Sequence, residues 1–438
     1  MSVAVERTSP VTLARLAVMM FIQYGVWSFW LTTMGKYLST GLEFPGDKIG
    51  LAYSTTGWGA IFAPFLVGMI ADRFCPAQVM LGLLHLATAG LLWWLTSITD
   101  PMEFFLVLLA AMICYMPTLA LANSIGFEHV KNPQYDFPFI RTFSPMGWIV
   151  AGLVVGSLPS VMPSWFGGLT DIEATAIPFK LSAAASLLMG LYAFTLPHTP
   201  PKSLGQKVTF ADIAGLKTLA LMKDRSFAVF VICSLLLCIP TAFYFQSAAI
   251  FFTAEGMTGV ASKMVLAQVS DVFFLAIMPF CLKRLGIKGI ILTGLAAWVV
   301  RYSLFAFGAG QGPHWPFYVG ILVHGICYDF FFLAGQIYVD QRAPREVRAN
   351  AQGFIALVTL GIGMTIGNIL NGYVTNWVTS ETVNSLGETV KVIDWKTLWL
   401  VPAAIAGVVG ILFMILFHER TTKPAAEGES LMTEAVPV

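Results

Sequence analysis

The chain has 438 residues, 57% of them hydrophobic and only 11% charged, at a mean hydropathy of +0.76; soluble domains carry roughly a quarter charged residues, so this is no ordinary soluble protein. A net charge of +1, from 25 basic and 24 acidic residues, leaves no excess positive potential with which to hold nucleic acid. The six cysteines, at 75, 114, 233, 238, 281 and 327, all fall inside or at the ends of apolar segments, a pattern of neither a disulfide framework nor a metal site.

The apolar residues come in blocks of about 20, the length a helix needs to cross the hydrocarbon core. In chain order the predicted spans are 13–38, 50–72, 77–98, 102–125, 139–160, 179–196, 227–253, 262–282, 288–308, 316–340, 350–376 and 396–418. The first run lacks a small-residue cleavage motif, so it is expected to stay in the mature protein as a helix. The largest polar connection lies between the sixth and seventh spans. The expected organisation is a six-helix bundle over 1–196, a cytoplasmic linker over 197–226, a second bundle over 227–418, and a polar, disordered cytoplasmic tail over 419–438.

Orientation follows from the basic residues, which resist translocation. A cytoplasmic N-terminus puts 17 of the 25 on inner connections, from Arg7 and Arg15 to Arg420 and Lys423. It leaves Lys36, Lys48, Lys180, Lys263, Lys391 and Lys396 outside. Both termini are then cytoplasmic, on an inner (cytoplasmic) membrane. The turn after the second span, GMIADRFCPAQVML, and the turn after the eighth, PFCLKRLGIKGIIL, are both short and basic, and Arg73 and Arg284 stand 211 residues apart. Such an echo suits a transporter whose substrate lies between two rocking halves, although any inner turn of a membrane protein is short and basic.

Four ionisable residues sit where the bilayer rejects charge, at a cost of about 2.5 to 3.5 kcal/mol each on insertion scales. Asp271 lies about 13 Å into the eighth helix, Asp329 equally deep in the tenth, Arg301 in the outer half of the ninth and Arg141 just inside the inner end of the fifth. Gln268 and Asp271, three apart, share one face, as do His324 and Tyr328, four apart. Together they offer amide, carboxylate, imidazole and phenol, suited to a small polyhydroxyl or heteroaromatic ligand. The alternative is that these groups only bond helix to helix; a buried Asp favours function. Arg301 is expected to form a structural ion pair with Asp329 or Asp271. Trp27, Trp30, Trp148 and Phe245 offer flat rings that could stack on a ligand, though a belt or packing role is the preferred reading for any one of them. There is no phosphate loop, no HExxH and no Ser-His-Asp set, so the chain is not expected to be an enzyme.

Nine segments in order then resemble one family: FWLTTMGKY (Phe29 to Tyr37), YMPTLALAN (Tyr115 to Asn123), DFPFIR (Asp136 to Arg141), TLPHTP (Thr195 to Pro200), QVSD (Gln268 to Asp271), LGIK (Leu285 to Lys288), YDFF (Tyr328 to Phe331), RANAQG (Arg348 to Gly353) and DWKTLW (Asp394 to Trp399). The chain is similar to the nucleoside:proton symporters of the major facilitator superfamily. The resemblance implies an all-α membrane protein of twelve transmembrane helices in two pseudo-symmetric six-helix bundles. It also implies alternating access and nucleoside uptake driven by protons, with the proton as coupling ion and no further cofactor. By that resemblance the substrate-binding residues are Arg141, Gln268, Asp271 and Tyr328, and Asp329 is the helix-ten aspartate. Trp148, Phe245 and His324 join the expected binding set from the reading of the residues. The family's pattern has Glu at Asp271, Tyr at His324, and a more polar face where this chain has Ala242 and Phe245.

The expected coupling step is carboxylate protonation, by Asp329 or Asp271, because a low dielectric disfavours the charged form. Asp72 and Arg73, and Lys283 and Arg284, are expected to act as gating latches at the inner turns. The expected partners are a nucleoside and the lipid bilayer, with the chain acting as a monomer. Other readings at this stage are a carrier of another small polar solute such as a sugar or organic anion, an uncoupled uniporter, and a transporter-like sensor.

Overall fold

The protein is described by a computed structural model that covers residues 8–66, 75–201, 216–310, 312–344, 347–383 and 387–418. Asp72 and Arg73 lie outside the described residues, as do 202–215 of the expected linker and the expected tail from 419 onward.

Helices dominate because a backbone in hydrocarbon must satisfy its own N–H and C=O groups. In chain order they are α1 (Pro10–Gly41), α2 (Gly46–Leu66), α3 (Ala77–Leu95), α4 (Pro101–His129), α5 (Pro133–Gly156), α6 (Ile177–Ala193) and α7 (Arg225–Ala254). There follow a 49-residue helical run Val260–Gly308, α10 (Trp315–Arg342), α11 (Asn350–Trp377) and α12 (Trp395–Leu416). Starts carry local signals. Ser9, Asp100, Asp224 and Asp394 accept backbone N–H bonds as N-caps of α1, α4, α7 and α12. Proline also opens α1, α4 and α5, where its missing N–H costs nothing. The fifth helix begins at Pro133, six residues before the predicted start, because Pro133 at the first turn is a start signal that hydropathy does not register.

The 49-residue run is two spans. Gly286 interrupts it with φ 67 and ψ 175, a conformation outside the helical region that glycine adopts at no side-chain cost. In a straight helix residues 270 and 298 would lie about 42 Å apart. Yet the Gly325 N–H donates to Ser270 Oγ at 3.1 Å, and Trp298 Nε1–H donates to the carbonyl of Cys327 at 3.0 Å, two residues along α10. The chain therefore doubles back at Gly286, giving α8 (260–285) and α9 (287–308). Lys283 and Arg284 are exposed at this reversal.

Nine helical stretches among the described residues are long and apolar enough to cross a membrane. With the doubled run counted twice and α2 and the shorter α6 added, the helices among the described residues are consistent with the expected twelve. One addition to the all-α expectation is a small hairpin between α11 and α12, with Thr379–Val383 antiparallel to Thr389–Ile393 and Thr379 opposite Ile393.

The core divides. The largest buried cluster draws only on residues from Phe227 onward, among them Trp298, Tyr302, Phe305 and Trp399. Two others draw their buried members from Leu16 to Leu196. Outward-facing Trp93, Phe280, Phe307 and Ile415 are exposed and apolar, as lipid as solvent requires.

The halves meet closely at the end where α1 finishes. Small residues bring backbones together there: a Cβ on Gly50 of α2 would lie 2.9 Å from Gly372 Cα of α11, and one on Gly46 2.9 Å from the Gly372 carbonyl. Asn376 of α11 donates to Asp47 Oδ1 at 2.8 Å. Lys36, counted by sequence as an outer flank, is buried here. Its Nζ donates to Asp171 Oδ2 and Glu173 Oε2, both at 2.8 Å, while Glu173 Oε1 accepts the Ala261 N–H of α8 at 2.7 Å. Glu173 thus ties the α5–α6 connection to both halves of the molecule.

Candidate functional site

Helical spacing brings the predicted pairs together. On α10 the His324 and Tyr328 rings stack at 5.7 Å with 19° between planes. On α8 Asp271 turns toward them, its Oδ2 3.9 Å from His324 Nε2. The faces of α8 and α10 that the sequence marked as polar therefore converge on one another. His324 is buried and Asp271 partly so, its side chain 27% exposed. Asp271 Oδ1 is buried and accepts no hydrogen bond among the described residues.

Arg301 departs from expectation. It forms no ion pair with Asp271 or Asp329 within 4.0 Å among the described residues. Its Nη1 donates instead to His324 Nδ1 at 2.7 Å, and its guanidinium carbon lies 3.5 Å from the centre of the Tyr244 ring. The reason is positional: the imidazole stands between α9 and Asp271, and the aromatic face of α7 offers the cation a second surface. Arg301 is wholly buried, with Nε and Nη2 making no hydrogen bond among the described residues.

Asp329 follows Tyr328 and opens a five-residue π-helical stretch, Asp329–Leu333. Such bulges widen the turn and often mark functional positions in a helix. Asp329 is 7% exposed, and its Oδ2 accepts no hydrogen bond among the described residues. Below it, Tyr328 lines a cavity with Phe230, Ser234, Gln336 and Thr359, between α7, α10 and α11.

A second cavity lies between the halves. It is lined by Thr32 of α1, Trp148 of α5, Tyr244 and Phe245 of α7, and Met264 and Gln268 of α8. Trp148, Phe245 and Gln268, predicted independently, thus share one lining. Trp27 packs edge-on to Trp148 at 5.9 Å, with its Nε1–H making no hydrogen bond among the described residues. Trp30, by contrast, stacks on Phe179 at 5.4 Å and is a packing residue.

Arg141 makes its contacts within the N-terminal half. It ends the first segment of α5, donates through Nη1 to Asn123 Oδ1 of α4 at 2.7 Å, and lies 5.9 Å from the Tyr24 ring of α1. It is exposed on the N-terminal half, at the end away from the Lys36 cluster.

Tyr244, like Thr32 and Met264 of the cavity lining, is a site residue that the sequence reading does not single out. Its hydroxyl is buried without a hydrogen-bond partner among the described residues, and its ring links Arg301, His324 at 5.3 Å and the inter-half cavity. In an α7 stretch reading AFYFQ, nothing separates this phenol from lipid-facing aromatics. No group of three or more His, Cys, Asp or Glu among the described residues is arranged to hold a metal ion.

The arrangement is one of a carrier: aromatic rings and an amide line a cavity between two helical halves, with the Asp271 carboxylate three residues from that amide on α8. Comparison with known proteins agrees. The model of the nucleoside H+ symporter family matches residues 11–422. YegT of Escherichia coli (strain K12), assigned to nucleoside transport, is 39% identical over 95% of this chain and 96% of its own. The nucleoside permease NupG of the same organism is 31% identical over 93% of this chain and 96% of its own. The crystal structure of NupG superposes with a TM-score of 0.79 at 29% identity, covering 93% of this chain and all of that one. The chain belongs to the nucleoside:proton symporter family, with the major facilitator fold.

Proposed function

We propose that this protein carries nucleosides into the cytoplasm together with protons, across the inner membrane, by alternating access and as a monomer. The observation that carries the reading is Asp271, a carboxylate three residues from Gln268 on α8, with Oδ1 unbonded among the described residues and Oδ2 3.9 Å from His324, whose neighbour Tyr244 lines the cavity with Trp148, Phe245 and Gln268. In this reading the rings stack on the base, Gln268 and Asp271 bond hydroxyl or ring N–H groups, and His324 and Tyr328 close the far side. Asp329 carries the proton in this reading, as a carboxyl 7% exposed whose Oδ2 has no partner among the described residues. The proton is the only cofactor needed. With both termini cytoplasmic, the Lys36 cluster is the outer closure, and the inner end opens toward Arg141. Lys283 and Arg284 then lie at the inner turn and act as latches, as Asp72 and Arg73 would in the first half.

Asp271→Asn should weaken apparent affinity for nucleoside by about 1 to 3 kcal/mol, the cost of removing one partner from a buried polar contact. Initial uptake rates of labelled uridine and adenosine against concentration measure this; an unchanged KM for both would take Asp271 out of the binding site. Competition by unlabelled sugars and organic anions in the same assay separates nucleoside carriage from that of another solute.

Arg141 tests a different point. As a flanking charge obeying the positive-inside tendency it would be replaceable by Lys. Its directed bond to Asn123 and its place over Tyr24 instead use a planar, forked donor, which an ammonium does not reproduce. Arg141→Lys should keep expression and topology but lose most uptake; near-normal uptake would return Arg141 to the flanking charges.

A further inference from the structure

We propose that Arg301 is a positioning residue: it fixes the tautomer of His324, so that the imidazole presents only an N–H donor toward Asp271. This rests on reading Asp271 and His324 as part of the transport site, but its central test is independent of transport.

The argument is one of donors and acceptors. A guanidinium stays charged and has only N–H groups to offer. With Arg301 Nη1 at 2.7 Å, His324 Nδ1 must supply the lone pair. A neutral ring then carries its single hydrogen on Nε2, the atom that faces Asp271 Oδ2 at 3.9 Å. A doubly protonated ring would set two donors and two positive charges against each other across the 2.7 Å contact. The surroundings leave the ring little freedom to turn over, since Tyr328 stacks on one side at 5.7 Å and Tyr244 approaches at 5.3 Å. Arg301 is itself held, over Tyr244 at 3.5 Å and near Trp298 at 5.4 Å. Among the described residues, the charged and titratable groups against His324 are Tyr244 of α7, Asp271 of α8, Arg301 of α9 and Tyr328 of α10, with Cys327 and Asp329 beside Tyr328 in sequence.

The consequence is a division of labour. The imidazole stays neutral and donates; the carboxyl groups exchange the proton. It also bears on specificity, because the phenol expected at this position from the family's pattern can donate or accept, whereas this ring can only donate. A substrate group reaching His324 must then be an acceptor, such as a carbonyl oxygen or an unprotonated ring nitrogen.

Nitrogen NMR of the full chain labelled at histidine in lipid nanodiscs reads the tautomer directly. The His324 signals are identified by their loss in His324→Phe. Between about pH 5 and 8, where a free imidazole changes charge, Nδ1 should remain unprotonated and Nε2 protonated. A protonated Nδ1, as the other tautomer or as imidazolium, would overturn the proposal. Transport supplies the second readout. Arg301→Met should raise the uridine KM about tenfold with His324 present and less than about twofold in the His324→Phe background, while Arg301→Lys, which keeps a donor, recovers most of the loss. Equal losses in both backgrounds would make Arg301 a packing residue.

Discussion

Asp329→Asn is expected to abolish accumulation of nucleoside against a gradient while leaving the fold and downhill exchange in place. The side chain is 7% exposed at the head of the π-helical stretch of α10, with Oδ2 buried and without a partner among the described residues. Asn keeps its size and planar shape, and a neutral amide costs less to bury than a carboxylate. What it cannot do is bind and release a proton. One pH unit is worth about 1.4 kcal/mol per proton, so a carrier moving one proton per nucleoside concentrates substrate about tenfold under that gradient. The variant should stay near a ratio of about one while exchanging labelled for unlabelled nucleoside at a substantial rate, because exchange requires no net proton movement. Concentrative uptake at the level of the unaltered protein would remove Asp329 as the carrier and leave the role to Asp271.

The second large effect is expected at the outer closure. Glu173 is 1% exposed, bonds Lys36 Nζ through one oxygen and caps the Ala261 N–H of α8 through the other. Removing one partner of a buried ion pair costs on the order of 3 to 5 kcal/mol, since the other charge is left without compensation. Asp171 also bonds Lys36, but it is half exposed and reaches only the N-terminal half, so it offsets part of the loss at most. Opening this end would let water reach Lys36, so only the closed conformer bears that cost, and 1.4 kcal/mol is already a tenfold shift in the balance of conformers. Glu173→Gln should therefore populate a conformer open at this end. Spin labels at Ser160 and Thr258, exposed on either side of the seam, should show a longer-distance population that the unaltered protein lacks. An unchanged distance distribution would make Glu173 a local structural residue.

The sequence carried the fold well for a physical reason: a span must be about 20 apolar residues long, and that requirement is written locally. Pairs on one helix face were equally legible, since spacing of three or four fixes them; Gln268 with Asp271, and His324 with Tyr328, stand as expected. What spacing cannot carry is which faces meet. A buried cation on a peripheral ninth helix reads as the partner of a carboxylate, whereas the packing of α7, α9 and α10 places an imidazole and a phenol ring beside Arg301. Lys36 and Glu173 are 137 residues apart, and no local pattern joins them. Tyr244 was hidden in a run of aromatics where lipid-facing and cavity-facing rings read alike. The hairpin after α11 was missed because ten residues of alternating polarity in a loop stand out little beside spans twice as long.

The central claim is that substrate movement is tied to proton movement through buried carboxylates at this site. Purified protein in liposomes, given labelled uridine or adenosine with and without an imposed inward proton gradient, tests it most directly. Accumulation above the outside concentration that requires the gradient, collapses with a protonophore and is absent in Asp329→Asn is the result expected. Equilibration to the same level with and without the gradient would contradict it and describe an uncoupled carrier.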